Sequence, residues 1–201
     1  MEKGLLIVLS GPSGGGKGTL LAEVKKRGFD FALSISVTTR QPRTGETNGI
    51  NYFFKTKAEA LAMRENDEFL ESEEVFGEIY GTSKKFVMDN LNSGKSVVLE
   101  IDTKGALKVK EKMPNAVMIF IVPKDLETLH SRLTGRGTET AEQIAKRFGK
   151  AKEEIAKAVH YDYLLINDKI EECATNFIEI INVEKLKTSR DKNKTLIESF
   201  R

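Results

Sequence analysis

Apolar residues fall in short runs along this chain, and polar stretches of roughly constant length separate them. Residues 5–9, 32–37, 96–101, 117–122 and 163–166 are mainly apolar and of strand length. Such runs are expected of strands buried on both faces of a parallel sheet. Residues 17–27, 83–92, 103–112 and 126–134 have helical patterning and lie between most of the runs. Strand alternating with helix predicts an α/β core, a parallel sheet flanked by helices. Ligands in such sheets bind beyond the carboxyl ends of the strands.

Two stretches interrupt the alternation. Residues 39–80 carry short alternating pieces at 52–54 and 69–75 around a helix over 57–66, which predicts a small α+β insert with its own strands. Residues 136–158 form the second. Thr140 and Gln143 make a capping box, and Ile144, Phe148, Ala151 and Ile155 keep one apolar stripe with Arg147 beside it. That stripe predicts a helix packed along one side. The polar tail from Lys185, with Lys187, Arg190, Lys192 and Lys194, predicts a solvated final helix or a frayed end.

Composition narrows the class. The 201 residues suffice for one domain with appendages. Charged residues make up 31 % and hydrophobic ones 39 %, and the net charge is +2. That balance argues against a dedicated nucleic-acid surface and requires any anionic ligand to be met by local clustering. A single cysteine, Cys173, excludes an internal disulfide and suits a reducing cytoplasm. The first apolar run is too short for a membrane or signal segment. His130 and His160 with one cysteine are too few for a zinc site, and both are expected as partly exposed helix residues.

The densest chemistry follows the first run: Gly11, Pro12, Ser13, Gly14, Gly15, Gly16, Lys17, Gly18 and Thr19. A strand, a glycine-rich turn and a helix opening at a lysine make the context of a phosphate-binding loop. Glycines let successive backbone N–H groups curl around phosphate oxygens, the helix start turns its positive end to them, and the lysine adds a full charge. The glycine-rich strand-to-helix joint is the plain alternative. Gly18 stands where the general consensus has Ser or Thr, and the resulting G-K-G-T is similar to nucleoside monophosphate kinases. Further on, Arg40 and Arg43 sit in a segment stiffened by Pro42 and turned at Gly45 and Gly49. Paired guanidinium groups with hydroxyls alongside are a phosphate-binding composition, although surface loops carry the same spacing. Glu71 lies in an acidic run with Glu73 and Glu74, which alone reads as readily as a solvated face.

The order of the motifs is more informative than any one of them. The loop is followed by T-T-R-x-P-R-x-G-E-x-N-G-x-x-Y from residue 38, F-L-E at 69–71, Y-G-T-S at 80–83 and L-E-I-D-T-K-G at 99–105. R-L-T-G-R-G-T-E-T at 132–140, K-R at 146–147 and Y-D-Y-L-L-I-N-D at 161–168 complete the series. Over nearly the whole chain this resembles guanylate kinase. The resemblance implies a P-loop kinase core of residues 1–38, 81–135 and 159–201, a GMP-binding insert at 39–80 and a helical lid at 136–158. The two inserts would close over the substrates.

What the resemblance implies can be carried over by position. Residues Gly11 to Thr19 would bind ATP. Ser36, Arg40, Arg43, Glu46, Tyr52 and Tyr80 match residues that hold the monophosphate of GMP, and Glu71 and Thr82 match those that read guanine. Lys17, Arg40, Arg132, Arg136 and Arg147 would serve the transferring phosphoryl group. Asn167 and Asp168 fall near the adenine side. Asp102 matches the second acid of a carboxylate pair near Mg²⁺ and GMP, with Glu100 where Asp is common. Since Gly18 removes a hydroxyl ligand, Mg²⁺ is expected to rest mainly on phosphates and water, with Asp102 as a possible protein ligand. The implied reaction is Mg²⁺-dependent transfer from ATP to GMP or dGMP in the cytoplasm, with no nucleic acid, membrane or obligatory protein partner. A phosphopeptide-binding scaffold of the same family and a ribose-phosphate kinase are the alternatives.

The chemistry agrees with that expectation. A phosphate acceptor is already largely anionic at neutral pH, its second pKa being ~6, and needs no catalytic base. Guanine offers N1–H and a 2-amino group side by side, two donors that one carboxylate at Glu71 can accept, and Thr82 could donate to O6.

Overall fold

The computed structural model of the chain describes residues 3–134 and 141–200. Strands β1 (Leu6–Ser10), β2 (Ala32–Ser34), β7 (Val97–Glu100), β8 (Val117–Pro123) and β9 (Tyr163–Asn167) form one sheet in the order β2-β7-β1-β8-β9. The β2–β7 and β8–β9 pairs are parallel. Strands β3 (Val37–Thr38), β4 (Phe53–Phe54), β5 (Phe69–Val75) and β6 (Glu78–Ser83) form a second sheet in the order β4-β3-β6-β5. Helices are α1 (Lys17–Lys26), α2 (Lys57–Glu65), α3 (Lys84–Asn92), α4 (Thr103–Lys112), α5 (Leu126–Thr134), α6 (Ala141–Ala156), α7 (Ile170–Lys185) and α8 (Asp191–Glu198), with a 3-10 turn at Lys157–His160. No helix among the described residues is long and apolar enough to cross a membrane.

The chain divides into two compact units, Met1–Val8 with Phe31–Ala116, and Leu9–Asp30 with Val117–Arg201. The first contains the second sheet with α2, α3 and α4. Thr56 and Glu59 form a reciprocal capping box at the start of α2, and Ser83 caps α3 through Phe86 N–H. The second unit contains the loop after β1, with α1 and α5 to α8. There α6 lays Ala151, Phe148 and Ile155 against Leu129 and Leu133 of α5, as its apolar stripe predicts. The capping box expected at Thr140 lies outside the described residues.

Three elements differ from the sequence expectation. The apolar run over 32–37 is two strands: Ala32–Ser34 pairs with Val97–Leu99, whereas Val37 and Thr38 pair with Gly81 and Tyr80 of β6. Hydropathy reports burial and carries no information about partner, so a change of sheet at residues 35–36 is invisible in it. Strand β6 is absent from the hydropathy pattern because its turn-like Y-G-T-S obscures the alternation. Helix α7 also lies outside the sequence expectation, and its Cys173, Ala174, Phe177, Ile181 and Glu184 form one buried stripe.

Candidate active site

In the second unit the chain leaves β1, buried along its whole length, through a loop that ends at Gly16. Gly16 caps α1 with φ 92°, and a Cβ there would lie 2.1 Å from Asn167 Nδ2. Both the left-handed backbone and the close approach require glycine. No side chain caps α1, and its first turn carries no acidic residue, so no carboxylate of the helix's own first turn offsets its positive end.

Among the described residues, Lys17, Arg132 and Arg147 lie at this loop. Lys17 Nζ donates to the carbonyls of Gly11 (2.7 Å) and Pro12 (3.3 Å), curled over the loop that it follows. Arg147 Nη2 of α6 donates to Ser13 Oγ. Arg132 Nη2 of α5 donates to the backbone oxygen of Asn167 (3.0 Å), and the buried Asn167 side chain donates to Gly15 O (2.9 Å). Asn167 thus ties both Arg132 and the loop to the end of β9. Asp168 pairs with Lys124 on the surface. Gly14, Gly18 and Thr19 complete the loop and the first turn, and a side chain at Gly18 would meet open space. Arg136, expected beside these cations, lies outside the described residues.

In the first unit a cleft of about 250 Å³ is lined by Ser36, Tyr52, Glu71, Glu73, Tyr80, Glu100 and Asp102, among others. Five of the sequence-predicted residues (Ser36, Tyr52, Glu71, Tyr80 and Asp102) therefore line one cleft. Arg40 joins them through the Tyr52 ring, 5.4 Å from its guanidinium carbon, and the Tyr52 and Tyr80 rings meet edge to face at 6.0 Å. Burial, then the neighbouring Tyr80, pushes the Tyr52 hydroxyl above its usual range, so it remains a neutral donor. Glu46 accepts from Arg40 Nη2 (2.9 Å) on one oxygen and from Arg43 N–H (2.8 Å) on the other. Those bonds hold the Glu46 carboxyl below its usual range. With both oxygens engaged, Glu46 orients Arg40 and the loop. The Arg43 side chain is exposed.

Glu71 sits on β5, 6 % exposed, and its Oε1 accepts the Thr82 hydroxyl at 2.6 Å. Thr82 has one hydroxyl hydrogen, and it is spent on Glu71. Burial raises the Glu71 carboxyl above its usual range; the Thr82 bond opposes the shift, and Asp102 and Glu73 add to it. Asp102 caps α4, accepting from Lys104 and Gly105 N–H through Oδ1. Motif reading alone did not mark the Glu73–Lys108 ion pair (2.6 Å) on the cleft wall. Its signal was two opposite charges on neighbouring elements, which sequence spacing does not reveal.

Comparison with known proteins places this geometry in a family. The family model described as "Guanylate kinase" matches residues 3–184. The chain is 50 % identical over 192 residues to the guanylate kinase of Caldanaerobacter subterraneus subsp. tengcongensis, covering 96 % of this chain and 93 % of that one. It is 47 % identical over 201 residues to that of Clostridioides difficile, covering 100 % and 98 %. A crystal structure of guanylate kinase from Anaplasma phagocytophilum superposes with a TM-score of 0.80 at 34 % identity, covering 99 % of this chain and 96 % of that one. The chain belongs to the guanylate kinase family of nucleoside monophosphate kinases.

Proposed function

We propose that this protein transfers the γ-phosphoryl group of ATP to GMP or dGMP in a Mg²⁺-dependent reaction that yields ADP and GDP or dGDP. The observation that carries the reading is the gathering of Lys17, Arg132 and Arg147 around the loop between β1 and α1. Phosphoryl transfer asks the protein for alignment and charge stabilisation, with little covalent work. Three cations and an uncapped helix start supply that stabilisation for a triphosphate. Residues 136–158, with Arg136 and Arg147, act as a lid, and residues 39–80 as the GMP-binding insert of a core built from 1–38, 81–135 and 159–201.

At the acceptor site Arg40, Arg43, Ser36, Tyr52 and Tyr80 hold the monophosphate, with Glu46 setting Arg40. Glu71, already oriented by Thr82, accepts the two donors of guanine. Adenine has an unprotonated N1 at that edge and would leave the carboxylate facing a lone pair. dGMP is included because this recognition rests on base and phosphate. The phosphate acceptor supplies its own anionic oxygen, so the cleft needs no catalytic base.

The donor set suits Mg²⁺ carried by the substrates. Among the described residues no group of three or more His, Cys, Asp or Glu is placed to hold a metal ion, and Gly18 offers no hydroxyl. Phosphate oxygens and water would supply most ligands, with Asp102 as the protein carboxylate available. When bound, the ion neutralises charge on the phosphates.

A coupled assay of ADP release with GMP, dGMP and AMP as acceptors tests the reading. Lys17→Met is expected to keep the circular dichroism of the wild type and lower kcat by several orders of magnitude, since it removes a charge acting on the transition state. Near-normal turnover in that variant, or no ADP release with GMP in the wild type, would sink the proposal. The second result would favour a phosphopeptide-binding scaffold.

A further inference from the structure

We propose that Gly105, on α4, sets the position of the Glu71 carboxylate and thereby the choice of base at the acceptor site; this rests on the reading of Glu71 as the guanine-binding group. The two residues touch. A Cβ added to Gly105 would lie 2.8 Å from Glu71 Oε2 and 3.2 Å from Cδ, and 3.6 Å from Asp102 Oδ1. The first distance is closer than carbon and oxygen pack without strain. Gly105 is not among the glycines with positive φ, so its backbone would accept any residue. The missing Cβ is the reason for glycine here, and glycine is otherwise the poorer choice within a helix. Its N–H is committed to Asp102 Oδ1 at 2.9 Å. The contact with Glu71 is therefore one of shape.

Glu71 is held from two sides. Thr82 of β6 pins Oε1 by its hydroxyl, and the bare first turn of α4 leaves space for Oε2 at Gly105. The residue that must yield to a methyl group is the flexible end of Glu71, and the helix backbone is not obstructed. A Cβ at 105 therefore displaces the carboxylate from its seat beside Thr82 while the fold absorbs the change. Gly105 is a positioning residue whose effect appears on GMP.

Gly105→Ala tests this. KM for GMP is expected to rise about tenfold or more, as for misplaced hydrogen bonds to a charged group. KM for ATP should stay within about twofold, and GMP should lose ground against AMP. The thermal midpoint should move little, because the gain in helix propensity on going to alanine offsets the loss of the Thr82 bond. In a Glu71→Asp background, whose side chain is one methylene shorter, the same substitution should cost far less, the non-additivity of residues in contact. An unchanged KM for GMP, a rise shared by ATP, or full additivity with Glu71→Asp would each overturn the proposal. Glu71→Ala measured alongside separates the layers. If it abolishes the preference for GMP while Gly105→Ala does nothing, the positioning role fails and the base-reading role stands. If Glu71→Ala keeps the preference, the underlying reading fails.

Discussion

Glu71 and Glu184 are both buried, one in each unit, and their surroundings oppose each other. Glu184, near the end of α7, is 2 % exposed. It accepts the Tyr163 hydroxyl and Arg190 Nη2, each at 2.6 Å, and pairs with Lys187 at 2.5 Å. Burial pushes its carboxyl up, but the bonds from Lys187, Tyr163 and Arg190 prevail and hold it below its usual range. Glu71, 6 % exposed, takes one hydroxyl from Thr82, and no ion pair reaches it among the described residues. Lys108 lies near enough to favour its charge, yet that ammonium is paired with Glu73. Burial therefore prevails at Glu71 and the carboxyl is pushed up. A carboxylate whose lone pairs are filled by its own chain joins helix, strand and tail. One buried with acceptor capacity left over stores an unmet demand that a ligand with two adjacent donors can meet.

The sharpest way to break this contrast is to delete Glu71. Glu71→Ala is expected to raise KM for GMP about a hundredfold or more while leaving KM for ATP nearly unchanged, because a site built around donors rejects an analogue lacking them by up to ~10⁴-fold. Stability at neutral pH should hold or improve, since an incompletely compensated buried charge is removed. Kinetics with GMP and AMP on the one variant check it. A wild-type preference for GMP over AMP would place base selection elsewhere.

Glu184→Gln should do the reverse. Its loss leaves Arg190 and Lys187 without their shared anion; both lie partly in solvent, so the cost is about 1–3 kcal/mol, a fall of several degrees in thermal midpoint for a chain of this size. KM for both nucleotides should not move. The pH profiles of the two sites have opposite signs. A depressed folded pKa makes the Glu184 contribution present above the unfolded value of ~4.3 and lost as pH falls through the folded one. A raised folded pKa makes the Glu71 contribution present below ~4.3 and lost as pH rises through the folded one. Chemical denaturation of Glu184→Gln and Glu71→Gln against wild type from pH 4 to 8 should show differences running in opposite directions. Parallel curves would remove the distinction.

Neither glutamate of the contrast stands out in the local sequence, whereas the loop between β1 and α1 does. That strand–turn–helix geometry was legible because its residues are contiguous: nine of them carry the turn, the helix start and the charge together. The Arg40–Glu46 pair was not legible, since the spacing of Arg40 to Arg43 marks two cations and not the carboxylate that holds one of them. The importance of Glu71 was not, since strand alternation would bury either Leu70 or Glu71. A register shift between Phe69 and Glu71 buries both. Only the order of motifs picked it from its acidic run. Glu184 was illegible for a different reason: its partners Tyr163, Lys187 and Arg190 come from a strand and from a tail that composition alone marks as solvated.

Thr82 offers the smallest and most discriminating change. Its hydroxyl donates to Glu71 and favours the ionised carboxylate. Thr82→Val should raise KM for GMP by a factor equivalent to about 0.5–1.5 kcal/mol, the worth of one hydrogen bond, and leave ATP alone. It should also push the Glu71 carboxyl further up. A protonated Glu71 turns one acceptor into a donor aimed at guanine's own donors, so KM for GMP climbs as pH falls. In the variant that climb should begin at a higher pH than in the wild type. The acceptor phosphate titrates near ~6 in both proteins, so the ratio of the two KM values isolates the protein's part. A ratio that widens on acidification places Thr82 behind Glu71. A ratio flat with pH would mean that Thr82 contacts the base directly and that the two residues act separately.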